Sequence, residues 1–255
     1  MRLDIFLKDR ENISRTRATR YIENGQITVN GKIIKKAAYF LSPADDVVIL
    51  QRNAVNFVSQ GGYKLYTAFQ VFQTAVKDKI FADIGASTGG FTDCLLQFGA
   101  KKIYAIDVGK NQIDMTLKEN QKVVIIDECN AKTLKKTDFL EELDGIVVDV
   151  SFISIKHILP IVAELLEYDK ELYILIKPQF ETERKGLDKH GIVKERAVRH
   201  TVVQKIIQFA TQYELYIQNI TTAPILPKKN IEYITYFRKG INKNFALQKI
   251  LNELD

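Results

Sequence analysis

Tryptophan is absent from this 255-residue chain, and cysteine, methionine, histidine and proline are all scarce. Cys94 and Cys129 are the two cysteines and lie in unrelated contexts, which excludes a disulfide framework. Three scattered histidines, His157, His190 and His200, add no metal-ligand spacing and no catalytic constellation, so no metal site is expected. No apolar run approaches the roughly 20 residues needed to span a bilayer. The first ten residues carry too many charges for a secretion signal. With reduced core thiols, the expectation is a cytoplasmic protein without a membrane partner. Low-complexity tracts are lacking too. What is present is a globular composition, 46% hydrophobic and 27% charged, with a net charge of +6 that suits a polyanionic partner without identifying one.

The positive charge is concentrated early. Between Arg2 and Lys36, nine basic residues face four acidic ones. Leu3, Phe6 and Leu7 have helical spacing, and Ser14 is a good N-cap for a second helix carrying Arg15, Arg17 and Arg20. Asn30-Gly31 then separates two short alternating runs, a hairpin signal, and Asp46–Leu50 forms another strand. The basic helix reads either as a solvated face or as a phosphate-contacting one, because guanidinium forks match phosphate oxygens. Arg2-Leu3-Asp4, Ser14-Arg15, Ile22, Gly25, Val29-Asn30-Gly31 and Lys35-Lys36 resemble the S-four-type RNA-binding module, over essentially all of residues 1–50. That resemblance implies RNA contacts from Arg2, Arg15, Arg17, Arg20, Lys32, Lys35 and Lys36.

Residues 51–60 read as a linker. Strand patterns at 79–84, 101–107, 122–126, 144–149 and 172–177 alternate with helix patterns at 62–75, 89–98, 110–119, 154–167 and 196–212. Two late strands, 214–222 and 231–238, precede a C-terminal segment, 241–255, with a helix over 242–253. The expected fold is α/β: a Rossmann-like domain over 61–240 with a mostly parallel seven-stranded sheet, preceded by the small α+β domain.

The run Asp83-Ile84-Gly85-Ala86-Ser87-Thr88-Gly89-Gly90-Phe91-Thr92 follows an apolar strand and opens a helix, the layout of a nucleotide-cradling loop. Ser87 stands where a dinucleotide fingerprint needs its second glycine, and no Gly-Lys-Ser/Thr follows as in a P-loop. Asp83, Gly85, Gly89 and Gly90 instead resemble the S-adenosylmethionine loop of Rossmann-like methyltransferases. Candidate cofactor residues are therefore Asp83, Gly85, Ala86, Ser87, Gly89, Gly90 and Phe91. Asp107 at the next strand end suits ribose hydroxyls in this or an NAD enzyme, or acts as a helix N-cap. Asn130, after the third strand, and Asp149, after the fourth, complete the set.

Lys177 leads out of an apolar strand and is held extended by Pro178, a placement that is costly except at a sheet's carboxyl edge, where ligands bind. Taken singly, such charges are equally well surface ion-pair members. Lys64, Asp149, Lys177 and Glu232 match in order and context the Lys-Asp-Lys-Glu tetrad of FtsJ-like ribose 2′-O-methyltransferases. Gly61-Gly62-Tyr63-Lys64-Leu65 and Lys177-Pro178-Gln179-Phe180-Glu181 are similar to the hemolysin-A (TlyA) branch. The resemblance implies methylation of a ribose 2′-hydroxyl, with cytidine in ribosomal RNA or an assembled subunit as substrate. Lys177 would be the base, helped by Lys64 and oriented by Asp149 and Glu232. A lysine base requires its ordinary pKa of about 10.4 to be lowered, which a neighbouring lysine and a sulfonium both favour. Two departures stand out: Gln60 replaces an arginine, and Pro227-Lys228-Lys229-Asn230 replaces a glycine-rich turn. The alternatives are an RNA-binding protein with a weak or inactive catalytic domain and, from the family name, a membrane-lysing protein.

Overall fold

The computed structural model describes every residue except 12, 24, 50–54, 183–185, 244 and 255, together with the side chain of Arg20. The chain divides into two compact units, Met1–Ser59 and Gln60–Asp255. Part of the expected linker, 51–54, lies outside the described residues.

In the first unit, helices α1 (Leu3–Glu11) and α2 (Arg15–Glu23) accompany strands β1 (Ile27–Val29), β2 (Lys32–Ile33) and β3 (Val47–Ile49) in a sheet ordered β2-β1-β3. Ser14 Oγ accepts from Arg17 N at 3.2 Å, the cap its sequence position predicts. Asn30 and Gly31 both take positive φ, 50° and 76°, so the two-residue turn twists with its strands. Leu3, Leu7, Ala18, Ile22, Ile27, Val29 and Val47 form the core.

The second unit is built on strands β4 (Ile80–Ile84), β5 (Lys102–Ile106), β6 (Val123–Ile126), β7 (Gly145–Val148), β8 (Glu171–Ile176), β9 (Leu215–Thr222) and β10 (Tyr233–Lys239). They form one sheet ordered β6-β5-β4-β7-β8-β10-β9. The first five named in that order are parallel; β10 runs antiparallel to both β8 and β9. The order reverses at β4, which sends the chain outward to β5 on one side and takes β7 on the other. In open α/β sheets this switch point is where ligands bind, beyond the strand carboxyl ends.

Helices cover both faces, as parallel sheets require. They are α3 (Gln60–Phe72), α4 (Gly90–Gln97), α5 (Met115–Lys118), α6 (Leu159–Leu165), α7 (Pro178–Glu181), α8 (Arg196–Thr211) and α9 (Leu247–Leu254). Ala82, Ile84, Ile146, Val148, Leu172 and Ile174 pack in one cluster with Val162 of α6 and Val203 of α8. On the opposite face Tyr173 meets Phe69 of α3 edge-on at 5.5 Å. Two helices differ from expectation. The one expected over 110–119 shrinks to α5, because Asp114 accepts from Thr116 N and caps the chain there. The one expected over 154–167 splits into a 3₁₀ turn, Ile155–His157, and α6, with Pro160, which lacks a donor N–H, in the first turn of α6.

Candidate active site

The glycine loop leaves β4 and wraps closely around β7. Gly85 takes φ 85°, and a Cβ there would sit 2.6 Å from the Asp149 carbonyl oxygen. Only glycine allows this approach. Gly89 (φ 89°) has a different reason: a Cβ there would meet Leu117 Cδ1 at 2.3 Å, so it admits α5 rather than a ligand.

A cavity of about 510 Å³ opens at the switch point, within the usual size range of small-ligand sites. Of the expected cofactor residues, Gly85, Ser87, Asp107, Asn130 and Asp149 line it. Asp83 in β4, and Ala86, Gly89, Gly90 and Phe91 in the loop and the first turn of α4, are buried, and they shape the cavity rather than line it. Asp107 caps no helix. Its two oxygens accept from Gly109 N at 2.7 Å and Ser87 N at 2.8 Å, tying β5 to the glycine loop. Each carboxylate oxygen has a second lone pair for a ribose hydroxyl. Asn130 Oδ1 caps a 3₁₀ turn by accepting from Lys132 N.

Asp83 is fully buried beneath the loop. Its Oδ2 accepts from Thr92 N at 2.9 Å and Thr92 Oγ1 at 2.6 Å, while Oδ1 has no hydrogen-bond partner among the described residues. Burial pushes this carboxyl up to about 7; the Thr92 bonds oppose the shift and the charge of Asp149 adds to it. An orphaned buried acceptor under a glycine cradle, with a carboxylate at the next strand end, fits a nucleoside ligand bearing a cationic amino group.

The four expected catalytic residues form two ion pairs at the same carboxyl edge. Lys177, only 7% exposed, follows β8 in extended conformation and caps α7. Its Nζ lies 2.5 Å from Asp149 Oδ1 and donates to Ser151 Oγ at 2.7 Å. Lys64, in the second turn of α3, donates to Glu232 Oε2 at 2.6 Å. The β8–β10 ladder pairs Ile176 with Tyr233, so one step further Glu232 comes level with Lys177. Gln179 Nε2 reaches Glu232 Oε1 at 3.5 Å. The ladder that begins at Tyr233 and the bond from Ala223 N to Glu232 O hold Glu232 in this position.

Sequence reasoning missed Ser151, Gln179 and an aromatic pair. Phe152 lines the cavity, is 90% exposed, and packs 5.1 Å from Phe180, whose ring lies 6.0 Å from Lys177 Nζ. Its φ of 65° is strained for a bulky residue. An apolar residue after a strand reads as core, so only the backbone outlier and the exposure reveal it.

Among the expected RNA-binding residues, Arg2 and Arg15 converge on Asp4. This buried carboxylate accepts from Arg2 Nε and Nη2, both at 3.0 Å, and from Arg15 Nε at 2.8 Å. Burial alone would raise Asp4, but the two guanidiniums hold it below the usual carboxylate range. Lys32, Lys35 and Lys36 are exposed at and beyond β2. Arg17 is half-buried, and the Arg20 side chain lies outside the described residues.

A doubly covered, mostly parallel sheet with a nucleoside-sized cleft at its switch point and lysine–carboxylate pairs on its rim defines a Rossmann-like methyltransferase architecture. Residues 57–239 match the FtsJ-like methyltransferase model and residues 1–47 the S4 domain, and the chain belongs to the FtsJ-like methyltransferase family. It is 40% identical over 240 residues to Hemolysin A of Brachyspira hyodysenteriae, covering 93% of this chain and 99% of that protein. It is 32% identical over 258 residues to the 23S rRNA (cytidine-2'-O)-methyltransferase TlyA of Campylobacter jejuni, covering 94% and 100%. A solved structure described as a hemolysin from Streptococcus thermophilus superposes with a TM-score of 0.75 at 31% identity, over 99% of this chain and 94% of that one.

Proposed function

We propose that this protein methylates a ribose 2′-hydroxyl of ribosomal RNA, with cytidine as the target nucleoside. The observation that carries the reading is the pairing of Lys177 with Asp149 and Lys64 with Glu232 at one strand edge beside the cleft. The relatives' printed activities and the match to an S4 domain support the same substrate class.

The cleft fits S-adenosylmethionine. Gly85 and Ser87 would hold it from the loop and Asp107 at its ribose, with the carboxyl of Asp83 buried beneath the loop. Bound there, the cofactor supplies an electrophilic methyl on a sulfonium. The chain's own residues manage the hydroxyl. Lys177, once it has passed its own proton to solvent, accepts the 2′-hydroxyl proton at Nζ as the oxygen is methylated, and Asp149 at 2.5 Å stabilises the ammonium that results. Ser151 Oγ, on the same Nζ, fixes its direction. Lys64, held by Glu232, offers a second cation to the adjoining phosphate or ribose oxygens. Phe152 presents an open aromatic face on which a splayed-out base stacks, the usual mode of reading unpaired RNA.

Transfer of labelled methyl from S-adenosylmethionine to purified large and small ribosomal subunits, followed by mapping of the modified ribose, tests this reading. Lys177→Met is expected to abolish transfer and leave cofactor affinity within about threefold, the loss of a proton acceptor alone costing 10²–10⁴-fold or so. Transfer that survives in this variant removes Lys177 from its role. Label confined to bases, or absent from both subunits, refutes the function.

A further inference from the structure

The loop between β9 and β10 carries an exposed apolar tip. Ile225 and Leu226 are 59% and 45% exposed and are bracketed by Pro224 and Pro227. Each proline fixes its own φ and restricts the residue before it, which narrows the conformations of the tip. Its stem is built. Ala223 N donates to Glu232 O at 2.9 Å. Asn230 Oδ1 accepts from Val193 N at 2.8 Å, and its Nδ2 donates to Gly191 O at 2.9 Å. Lys228 and Lys229 follow the tip and are exposed. The stem ends at Glu232, partner of Lys64. An aliphatic tip, two cations and the catalytic edge thus lie within one short segment.

We propose that Ile225 and Leu226 wedge between stacked bases of the RNA beside the target nucleotide while Lys228 and Lys229 hold the flanking phosphates. Inserted aliphatic side chains unstack nucleic acid steps, and an unstacked neighbour frees the target to leave its helix. The adjacent lysines and the continuity with the catalytic edge select RNA over an apolar protein groove. This inference rests on the RNA-methylating reading above.

The test compares wild type, Ile225→Ser/Leu226→Ser and Lys228→Ala/Lys229→Ala. The substrates are purified subunits and a short single-stranded rRNA fragment spanning the mapped ribose. A hairpin with 2-aminopurine beside that ribose reports unstacking. The serine variant is expected to lose about tenfold or more in single-turnover rate on subunits but little on the single-stranded fragment, and to lose the 2-aminopurine rise that wild type produces. The alanine variant keeps that rise, while its salt slope for RNA binding falls by about 1.5. Equal losses on both RNAs, no loss, or an unchanged fluorescence rise overturns the wedge. So does a serine-sensitive binding to phosphatidylglycerol vesicles with methylation intact, which would make the tip a membrane contact. Inactive wild type instead refutes the parent reading, and the wedge falls with it.

Discussion

Replacing Asp83 by asparagine separates what this residue costs the fold from what it gives the site. Its carboxyl is fully buried, with one oxygen bonded twice to Thr92 and the other unpartnered. Its folded pKa of about 7 lies above the unfolded value of 3.8. A raised carboxyl favours the folded state below the unfolded value, and stability is lost as pH rises toward and through the folded one. The full shift amounts to about 4 kcal/mol at 1.36 kcal/mol per unit. Between about pH 5.5 and 8.5, linkage gives a loss of about 2 kcal/mol for the wild type from this group. Asparagine keeps the acceptor for Thr92 and does not titrate, so that loss disappears in the variant. Urea unfolding of both proteins at the two pH values measures the difference, and the histidines, common to both, cancel. Identical pH slopes would refute the reasoning. A gain in the variant at acid pH rather than alkaline pH would refute it too. S-adenosylmethionine affinity should move against stability and fall, because the negative charge beneath the loop that favours the cofactor's cationic amino group is lost.

Gly85→Ala places a methyl group against the Asp149 carbonyl at 2.6 Å in a left-handed conformation. It should abolish cofactor binding measured by calorimetry and destabilise the catalytic unit by about 1–3 kcal/mol. Asp4→Asn should weaken RNA binding about tenfold in a filter assay, with cofactor affinity unchanged, because Arg2 and Arg15 lose their charge-assisted anchor. Asp4's pKa is lowered, so its stabilising effect is present above the ordinary carboxylate range and lost as pH falls through the folded value. The two proteins should therefore differ in stability at neutral pH and converge in acid.

The strands were readable because buried parallel strands are continuous apolar runs, and every charge that interrupts one marks an edge: Asp83, Asp107, Asp149 and Lys177 all stand at or just beyond carboxyl ends. Pairing across the sheet was not readable. Nothing local in Asn230-Ile231-Glu232 announces that Glu232 comes level with Lys177, since that depends on an antiparallel ladder between segments over fifty residues apart. The joint hold of Arg2 and Arg15 on Asp4 was hidden for another reason: it depends on how the first two helices pack, which no local pattern states. The helix-cap alternative for Asp107 fails because Asn111 takes φ 55° and Asp114 starts the helix late. Phe152 was invisible for the opposite reason: hydrophobicity predicts burial, and here the ring is exposed on a residue of positive φ.

The hairpin of β9 and β10 divides labour in a way that bears on how such enzymes change targets. The acid of Glu232 is located by the ladder to β8 and by the bond closing Ala223 to Glu232, so residues 224–229 can change in sequence or length without shifting it. The tip is a cartridge in a fixed socket. If the tip meets RNA as proposed, exchanging it would redirect which RNA is admitted while the Lys64–Glu232 pair next door stays in place.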